Sequence, residues 1–317
     1  MDPITQGALG AACAQVVLHK QDKYNAWIVG GLAGMAADLD VLINSSKDPL
    51  LFFFYHRHFT HSLMFIPIGA ALVTLFLTLF KRFRQHKRLT FLAALIGYGT
   101  HGLLDTCTNY GTVLYWPFTN TRVHWDLISI IDPFFTFPLV LGLVWTKVHD
   151  SRKGVAIGLI LASFFLLVNS FQHYRAIEAV QTFAEKNHLK LEKLRVFPKM
   201  SSSITWRGVS LINNYFLAFN VTAPFLQKAK VSIAAKYQLA QSSNLPKYVK
   251  ESPLFLKDFS IFNWFTGGYL ILVKSEPLIL ADGRFLMDDD PTISLWGIQF
   301  SQSQPVVYRL NFINLEE

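Results

Sequence analysis

The first half of the chain alternates between long apolar segments and short polar connections. Several of the apolar segments approach the roughly 20 residues that cross a bilayer as a helix. The first is shorter and rich in small residues, so it is either a tightly packed span or a re-entrant helix. The pattern predicts about six transmembrane or re-entrant helices, over residues 4–18, 26–43, 63–80, 89–107, 134–148 and 155–171.

Beyond residue 171 the pattern changes. Residues 172–194 predict an amphipathic helix that leaves the membrane, and Asp282-Gly283 is a plausible turn. Short runs that alternate polar with β-branched or aromatic residues predict an antiparallel sheet. These runs cover residues 203–209, 215–222, 269–273, 292–300 and 306–312. The expected fold is therefore a mainly α membrane domain (1–171), followed by a smaller extramembrane domain that contains antiparallel β structure (172–317).

Composition supports a membrane protein. Of the 317 residues, 51% are hydrophobic and 16% are charged, whereas a soluble domain has about 25% charged residues. The net charge of +8 could indicate a nucleic-acid partner, but much of it lies in short loops between apolar segments. That distribution is typical of membrane topology, so we expect no nucleic acid. Cys13 and Cys107 both lie in apolar segments, which predicts neither a disulfide framework nor a cysteine-based zinc site.

The basic loops make a prediction about orientation. Loops 19–24, 81–89 and 147–153 are expected to face the cytoplasm. Stretches 38–61 and 101–132 and the C-terminal domain then face the opposite side. All the polar motifs described next fall on that side, in the periplasm or the exterior.

Histidines and carboxylates recur at the ends of the apolar segments, where they are costly unless they pair with one another or with a metal ion. His101 and Asp105 lie one helical turn apart and can face the same ion; the alternative is a hydrogen-bonded pair at a helix end. The run from His56 to Ser62 holds three histidines, of which His58 is the weakest candidate. The predicted metal ligands are Asp40, His56, His61, His101 and Asp105.

The remaining polar residues are candidates for catalysis. Asp38 and Asp40 cannot share one helical face, so one can bind metal while the other acts as a base or orients a histidine; the alternative is a solvated helix end. Arg57, Thr60 and Ser62 could stabilise an anionic group. For them the alternatives are interfacial anchoring and helix capping.

The sequence resembles the YdjM-like family of bacterial inner-membrane, metal-dependent hydrolases. The resemblance covers roughly residues 1–170. It rests on the opening MDPITQG, on DLD at 38–40, on HRxxTHS at 56–62, on HGLLD at 101–105, on Asn109-Tyr110-Gly111 and on Asp132-Pro133. It implies a hydrolase activity that requires metal, without a defined substrate.

These observations predict an integral hydrolase of the bacterial inner membrane with one or two divalent ions. Histidine ligands favour Zn²⁺, with Mn²⁺ or Mg²⁺ as alternatives. A remaining carboxylate, Asp38 or Asp105, is expected to act as the base and Arg57 to balance charge, with Thr60 and Ser62 beside them. The expected substrate is an ester or phosphoester of a lipid or lipid-linked molecule at the outer face, so membrane lipids are expected partners.

Two other interpretations remain open. The chain could be a non-catalytic membrane scaffold or an ion or solute transporter whose polar cluster is structural. Residues 172–317 could cap the site, select the substrate or bind a protein partner.

Overall fold

The computed structural model describes residues 1–45, 47–287, 290, 292–301 and 307–315. The chain divides into two compact units. The first comprises Met1–Leu42, Tyr55–His173 and Met200–Ser203. The second comprises Ile43–Phe54, Tyr174–Lys199 and Ile204–Glu317.

The N-terminal half is helical, as the pattern of apolar segments predicts. Short 3₁₀ helices extend this architecture at Ala37–Leu42, Phe59–His61 and Leu63–Phe65. The α-helices are α1 (Pro3–Asp22), α2 (Ala26–Ala36), α3 (Leu51–Tyr55), α4 (Ile66–Leu77), α5 (Lys81–Arg84), α6 (Lys87–Thr106), α7 (Pro133–His149) and α8 (Lys153–Lys186).

Helix α8 differs from the prediction. Residues 155–171 and 172–194 were expected to form two helices, but a single helix of 34 residues runs to Lys186. The joined stretch contains no glycine or proline between residues 159 and 186, so nothing local interrupts it. The predicted amphipathic helix is also wrong at its end, because residues from Glu192 onward form a strand.

The number of membrane spans remains a prediction. Among the residues that the structure describes, α8 is by itself long and apolar enough to cross a membrane. Leu51–His61 and Leu63–Leu77 meet the same criterion only as a pair, bent by 62°. Helix α2 has 11 residues and α4 has 12, too few to cross a bilayer alone.

Helices α1, α2 and α6 pack with their backbones in contact. A Cβ atom at Gly97 of α6 would lie 2.1 Å from the carbonyl oxygen of Gly30 in α2. A Cβ atom at Gly10 of α1 would lie 2.4 Å from the same oxygen. Small residues permit this close approach, and it brings the polar ends of the three helices together.

The close approach predicts the effect of a single methyl group. Gly97→Ala is expected to destabilise the helical unit by about 1–3 kcal/mol, because the backbone oxygen that it meets can yield only if the helices separate. Thermal unfolding of the purified protein measures the change. Gly99→Ala, two residues along the same helix, is the control, since its Cβ would lie 3.8 Å from Ile66. Equal unfolding temperatures for the two variants would contradict the packing described.

The second unit contains two four-stranded antiparallel sheets, each with its strands in sequential order. This confirms the predicted antiparallel β structure. The first sheet consists of β1 (Glu192–Pro198), β2 (Thr205–Ile212), β3 (Tyr215–Thr222) and β4 (Lys230–Gln238). The second consists of β5 (Leu270–Ser275), β6 (Leu278–Asp282), β7 (Ile293–Phe300) and β8 (Val307–Asn314). Between them lie α9 (Lys247–Lys250) and α10 (Pro253–Phe265).

Sequence patterning missed part of this unit. Strands β1, β4 and β6 were not predicted, and residue 306 of the predicted run 306–312 lies outside the described residues. The predicted turn at Asp282-Gly283 takes the form of a 3₁₀ helix, Gly283–Phe285, which follows β6. The Asp282 carboxylate accepts a hydrogen bond from the backbone N–H of Arg284 (3.0 Å) and pairs with its guanidinium (2.7 Å).

The segment Ile43–Phe54 belongs to the second unit because of its aromatic side chains. Phe53 is fully buried, with its ring 4.6 Å from Phe265 and 5.8 Å from Trp296 between centroids. The Arg309 guanidinium lies 4.4 Å from the centroid of Phe52. The chain thus leaves the first unit after Leu42 and returns to it at Tyr55, one residue before His56.

Candidate metal centre

The polar motifs of the sequence converge in the first unit. Asp38 and Asp40 lie in the 3₁₀ helix that follows α2. In a 3₁₀ helix, residues two apart point about 120° from each other, compared with about 160° in an α-helix, so both carboxylates reach the same region. His61 ends a second 3₁₀ helix. His101 and Asp105 lie one turn apart near the end of α6.

A glycine allows α6 to approach the His61 backbone. A Cβ atom at Gly102 would lie 2.2 Å from the His61 carbonyl oxygen. The residue after His101 must therefore be as small as glycine for the two imidazoles to meet.

Four side chains form a compact group of ligand atoms: Asp38, His61, His101 and Asp105. The Nε2 atoms of His61 and His101 are 2.9 Å apart. Asp38 Oδ1 lies 3.3 and 3.4 Å from these two nitrogens, and Asp105 Oδ2 lies 3.4 and 3.7 Å from them. Ligands about 2.0–2.1 Å from a tetrahedral zinc ion are about 3.3–3.4 Å from one another. Three of the four carboxylate–imidazole distances therefore match those of a metal site, while the two Nε2 atoms lie about 0.4 Å closer than tetrahedral zinc ligands do.

The hydrogen bonds of the two imidazoles make both Nε2 atoms available. His101 Nδ1 lies 2.5 Å from the carbonyl oxygen of Gly34, which can only accept, so Nδ1 carries the proton. The Thr60 hydroxyl donates to Asp40 (2.7 Å) and so accepts from His61 Nδ1 (3.0 Å). Two Nε2 lone pairs at 2.9 Å repel each other unless a proton or a metal ion lies between them. Metal-binding histidines are held through their other nitrogen in this way.

Asp105 supplies a buried oxygen without a hydrogen bond. Its side chain is completely buried. Oδ1 accepts from Gln6 Nε2 (2.9 Å) and contacts the amino group of Met1. Oδ2 accepts no hydrogen bond from the described residues, although Arg57 Nε lies 3.2 Å away. The Arg57 guanidinium offsets part of the cost of burying this carboxylate, and a cation between Oδ2 and the imidazoles would add to that compensation.

Asp40 is saturated with hydrogen bonds. Oδ1 accepts from His56 Nδ1 (2.8 Å), and Oδ2 accepts from the Arg57 backbone N–H (3.0 Å) as well as from Thr60. Arg57 has a φ of 63°, in the left-handed region that side chains other than glycine seldom adopt. In this backbone conformation the Arg57 N–H donates to Asp40. Asp40 therefore holds three residues of the histidine stretch, His56, Arg57 and Thr60, by hydrogen bonds.

Asp38, Asp40 and His56 form a second group of ligand atoms within 4.8 Å of one another. Asp38 belongs to both groups. Its side chain is 21% exposed and that of His56 is 20% exposed, whereas those of Asp40, His61 and Asp105 are fully buried. The centre is therefore open to solvent on the side of Asp38 and His56.

The other predicted site residues take different positions. The Arg57 guanidinium donates to Thr108 Oγ1 (3.1 Å) and lies over the Tyr110 ring. Ser62 Oγ donates to the Phe59 carbonyl (2.8 Å) and accepts from the Phe65 N–H (3.3 Å). Ser62 is therefore a helix cap, and it belongs to neither group of ligand atoms.

Sequence reasoning missed three residues of the centre. These are Gln6, the Gly34 carbonyl and Thr108. Gln6 and Thr108 are fully buried polar side chains at the ends of apolar segments, and that signal could have found them. The Gly34 carbonyl is a backbone group, which no pattern of side chains reports.

The saturation of Asp40 predicts a graded loss of metal. Asp40→Asn is expected to weaken metal binding about 10–100-fold, because an amide cannot accept all of these hydrogen bonds and the His61 ring loses its fixed orientation. Competition with a chelator of known affinity measures the change. Asp126→Asn is the matched control, a buried carboxylate that accepts from His124 Nδ1 (3.1 Å) outside both groups. Equal metal affinities for Asp40→Asn and Asp126→Asn would show that Asp40 does not support the metal centre.

A model of the YdjM inner membrane protein family matches residues 1–176. The match covers more than half of the chain and includes every residue of both ligand groups. No curated protein and no solved structure matches the chain significantly.

Proposed function

The chain belongs to the YdjM inner membrane protein family, and we propose that it is a metal-dependent hydrolase of an ester or phosphoester in a lipid or lipid-linked substrate. One observation carries the proposal: the Nε2 atoms of His61 and His101 lie 2.9 Å apart, flanked by carboxylate oxygens of Asp38 and Asp105. A purely structural histidine–carboxylate pair does not need a second imidazole nitrogen at this distance.

The ion is assigned to Asp38, His61, His101 and Asp105. Two imidazoles and two carboxylates suit Zn²⁺, whereas Mg²⁺ prefers oxygen ligands alone, and Mn²⁺ is intermediate. Such an ion supplies a Lewis acid and activates water near neutral pH. Asp38, as the partly exposed ligand, lies where the substrate enters.

We propose that His56 acts as the general base and that Asp40 positions its ring. Because His56 Nδ1 donates to Asp40 (2.8 Å), Nε2 is the unprotonated nitrogen of the ring, and it is the atom proposed to take a proton from the attacking water. From the sequence, Asp38 or Asp105 was the expected base, and Asp40 and His56 were expected metal ligands. The hydrogen bonds support the exchanged roles, with Asp40 as the residue that positions both imidazoles.

Arg57 is proposed to balance the negative charge of the centre. Three carboxylates lie close together, and the Arg57 guanidinium is buried against Asp105. A positive charge held there also favours an anionic group such as a phosphate at the open side. Thr60, whose hydroxyl links Asp40 to His61, supports the imidazole.

Exposed apolar side chains beside the centre support a lipid substrate. Leu39, between the two aspartates, is 64% exposed, and Leu42 is 72% exposed. Met64, two residues after the Ser62 cap, is also exposed. Apolar side chains that remain exposed around a polar site are typical of a surface in contact with lipid.

We propose that this centre faces away from the cytoplasm. The three basic loops meet at one end of the first unit, where Lys23 pairs with Asp150 (2.5 Å) and Arg82 donates to Asn25 (2.6 Å). Basic loops favour the cytoplasmic side, and about six membrane segments would then place the centre opposite. One-sided labelling of Lys20→Cys in spheroplasts decides this orientation.

The proposal is tested with the full chain in lipid nanodiscs. Phosphomonoesters, phosphodiesters, carboxylic esters and phospholipids are offered with the protein as purified, after chelation, and after Zn²⁺ is restored. We expect hydrolysis of at least one class, loss of turnover on chelation and recovery with the ion. Turnover that persists at the same rate after verified metal removal would refute the metal-dependent function.

A further inference from the structure

A cavity lies in the first unit, at the end of the helices away from the metal centre. It has a volume of about 670 Å³ and is lined among others by His19, Lys23, Tyr24, Trp27, Arg82 and Lys147. Gln6 of α1 touches Asp105 of the metal centre, and His19 follows 13 residues later on the same helix. At a rise of 1.5 Å per residue, the two positions are about 20 Å apart. The cavity is therefore separate from the metal centre.

The lining of this cavity carries an excess of positive charge. Lys23, Arg82 and Lys147 contribute cations, and Asp150 is the carboxylate among the lining residues. Asp150 is already paired with Lys23 (2.5 Å). The Lys147 ammonium lies 5.3 Å from the centroid of the Trp27 ring. Among the described residues, no carboxylate lies within salt-bridge distance of Lys147, so its charge is available to a ligand.

The polar side of the cavity is held in place. Gln15 Oε1 accepts from the Trp27 backbone N–H (3.1 Å), and its amide donates to the Lys23 carbonyl (3.1 Å). Arg82 donates through Nη2 to the Tyr24 carbonyl (3.0 Å). The backbone of the turn between α1 and α2 and the Arg82 side chain are therefore held in place before a ligand binds, which limits the entropy lost on binding.

The rest of the lining is apolar. Ile28, Leu143 and Val144 continue the cavity along the helices, and Val144 is 53% exposed. A ligand that fits has an anionic head and an apolar tail. Basic pockets between membrane helices bind the headgroups of anionic lipids, and the volume lies within the range of about 300–1,000 Å³ for ligand pockets.

We propose that this cavity binds one anionic phospholipid, with its phosphate between Lys23, Arg82 and Lys147 and its acyl chains along Leu143 and Val144. The Trp27 ring then lies at the level of the headgroup, where tryptophan is enriched in membrane proteins. This site is independent of the proposed hydrolase activity, because none of its residues belongs to the metal centre.

The test compares two double variants that remove the same charge. Lys23→Gln with Lys147→Gln removes two cations from the cavity. Lys20→Gln with Lys153→Gln removes two exposed cations, one in α1 and one in α8, that lie near the cavity in sequence but do not line it. Each full-length protein is delipidated in detergent and titrated with phosphatidylglycerol or phosphatidylcholine, and bound lipid is counted by native mass spectrometry. Inorganic phosphate and glycerol 3-phosphate form separate arms.

We expect the unaltered protein to retain one phosphatidylglycerol with at least about tenfold preference over phosphatidylcholine. The cavity variant should lose affinity about tenfold or more, and the control variant less than about threefold, since loop charges act only through the screened surface field. Lys147→Arg should keep the binding, which separates loss of charge from misfolding. Equal losses in the two double variants, or equal binding of the two lipids, would overturn the proposal. Displacement of the lipid by millimolar inorganic phosphate would assign the site to free phosphate instead.

Discussion

His101→Ala is expected to reduce bound metal from about one ion per chain to less than about a tenth, because the site loses one of its two imidazole ligands. The His101 ring is held by the Gly34 carbonyl (2.5 Å), so its Nε2 is already in position when the ion arrives. Elemental analysis of the purified full-length protein, together with protein quantification, measures the change. His61→Ala is expected to have the same effect.

The control for this experiment is His124→Ala. His124 also hydrogen-bonds a carboxylate, Asp126 (3.1 Å), but it belongs to neither ligand group. That variant should keep its metal. If the unaltered protein holds no metal after exposure to Zn²⁺, a proton rather than an ion lies between the two imidazoles, and the metal centre is refuted.

His56→Ala is expected to lower kcat about 10²–10⁴-fold while the metal content stays near one ion per chain, because a lost general base slows proton transfer without removing a ligand. The expectation rests on the hydrogen bond that His56 Nδ1 donates to Asp40 (2.8 Å). This bond fixes the orientation of the ring and makes Nε2 its unprotonated nitrogen. Turnover is measured with whichever substrate the screen identifies, and metal content is measured on the same preparation.

Chemical rescue separates a base from a structural residue. Added imidazole should restore part of the turnover of His56→Ala, since a small base can enter on the side where His56 is 20% exposed. It should not restore His61→Ala, whose ring is fully buried. A fall from two ions to one in His56→Ala would contradict the proposed role. It would show instead that Asp38, Asp40 and His56 hold a second ion.

Much of the candidate centre could be predicted from sequence, because the information is local. His101 and Asp105 share a helical face through their spacing alone, and the histidine stretch stands out because polar side chains are costly at the ends of apolar segments. The structure brings Asp38, Asp40, His56, His61, His101 and Asp105 together, as expected. Their division into ligands and supporting residues could not be predicted, because it depends on which oxygen of each carboxylate faces which nitrogen.

The sequence by itself determined the two classes of structure in this protein. Apolar segments of near-constant hydrophobicity form helices, and alternation beyond the last of them forms antiparallel strands, because both patterns act through neighbouring residues. It did not determine the number of membrane spans or the β1 strand. Residues 172–194 contain both the end of α8 and the start of β1. Polar and apolar residues are mixed in the same way in both parts, so the pattern does not separate helix from strand. Pairing with β2 decides where the strand begins.

Only the tertiary structure decided how the centre is built. Asp40 accepts hydrogen bonds from three groups of the histidine stretch: the His56 ring, the Arg57 backbone N–H and the Thr60 hydroxyl. Gln6 donates to Asp105, 99 residues away in the sequence. Both depend on the backbone contacts of α1, α2 and α6, which small residues such as Gly30 and Gly97 permit. Contacts between residues far apart in sequence follow from how the helices pack, and no periodicity in the sequence encodes an interatomic distance.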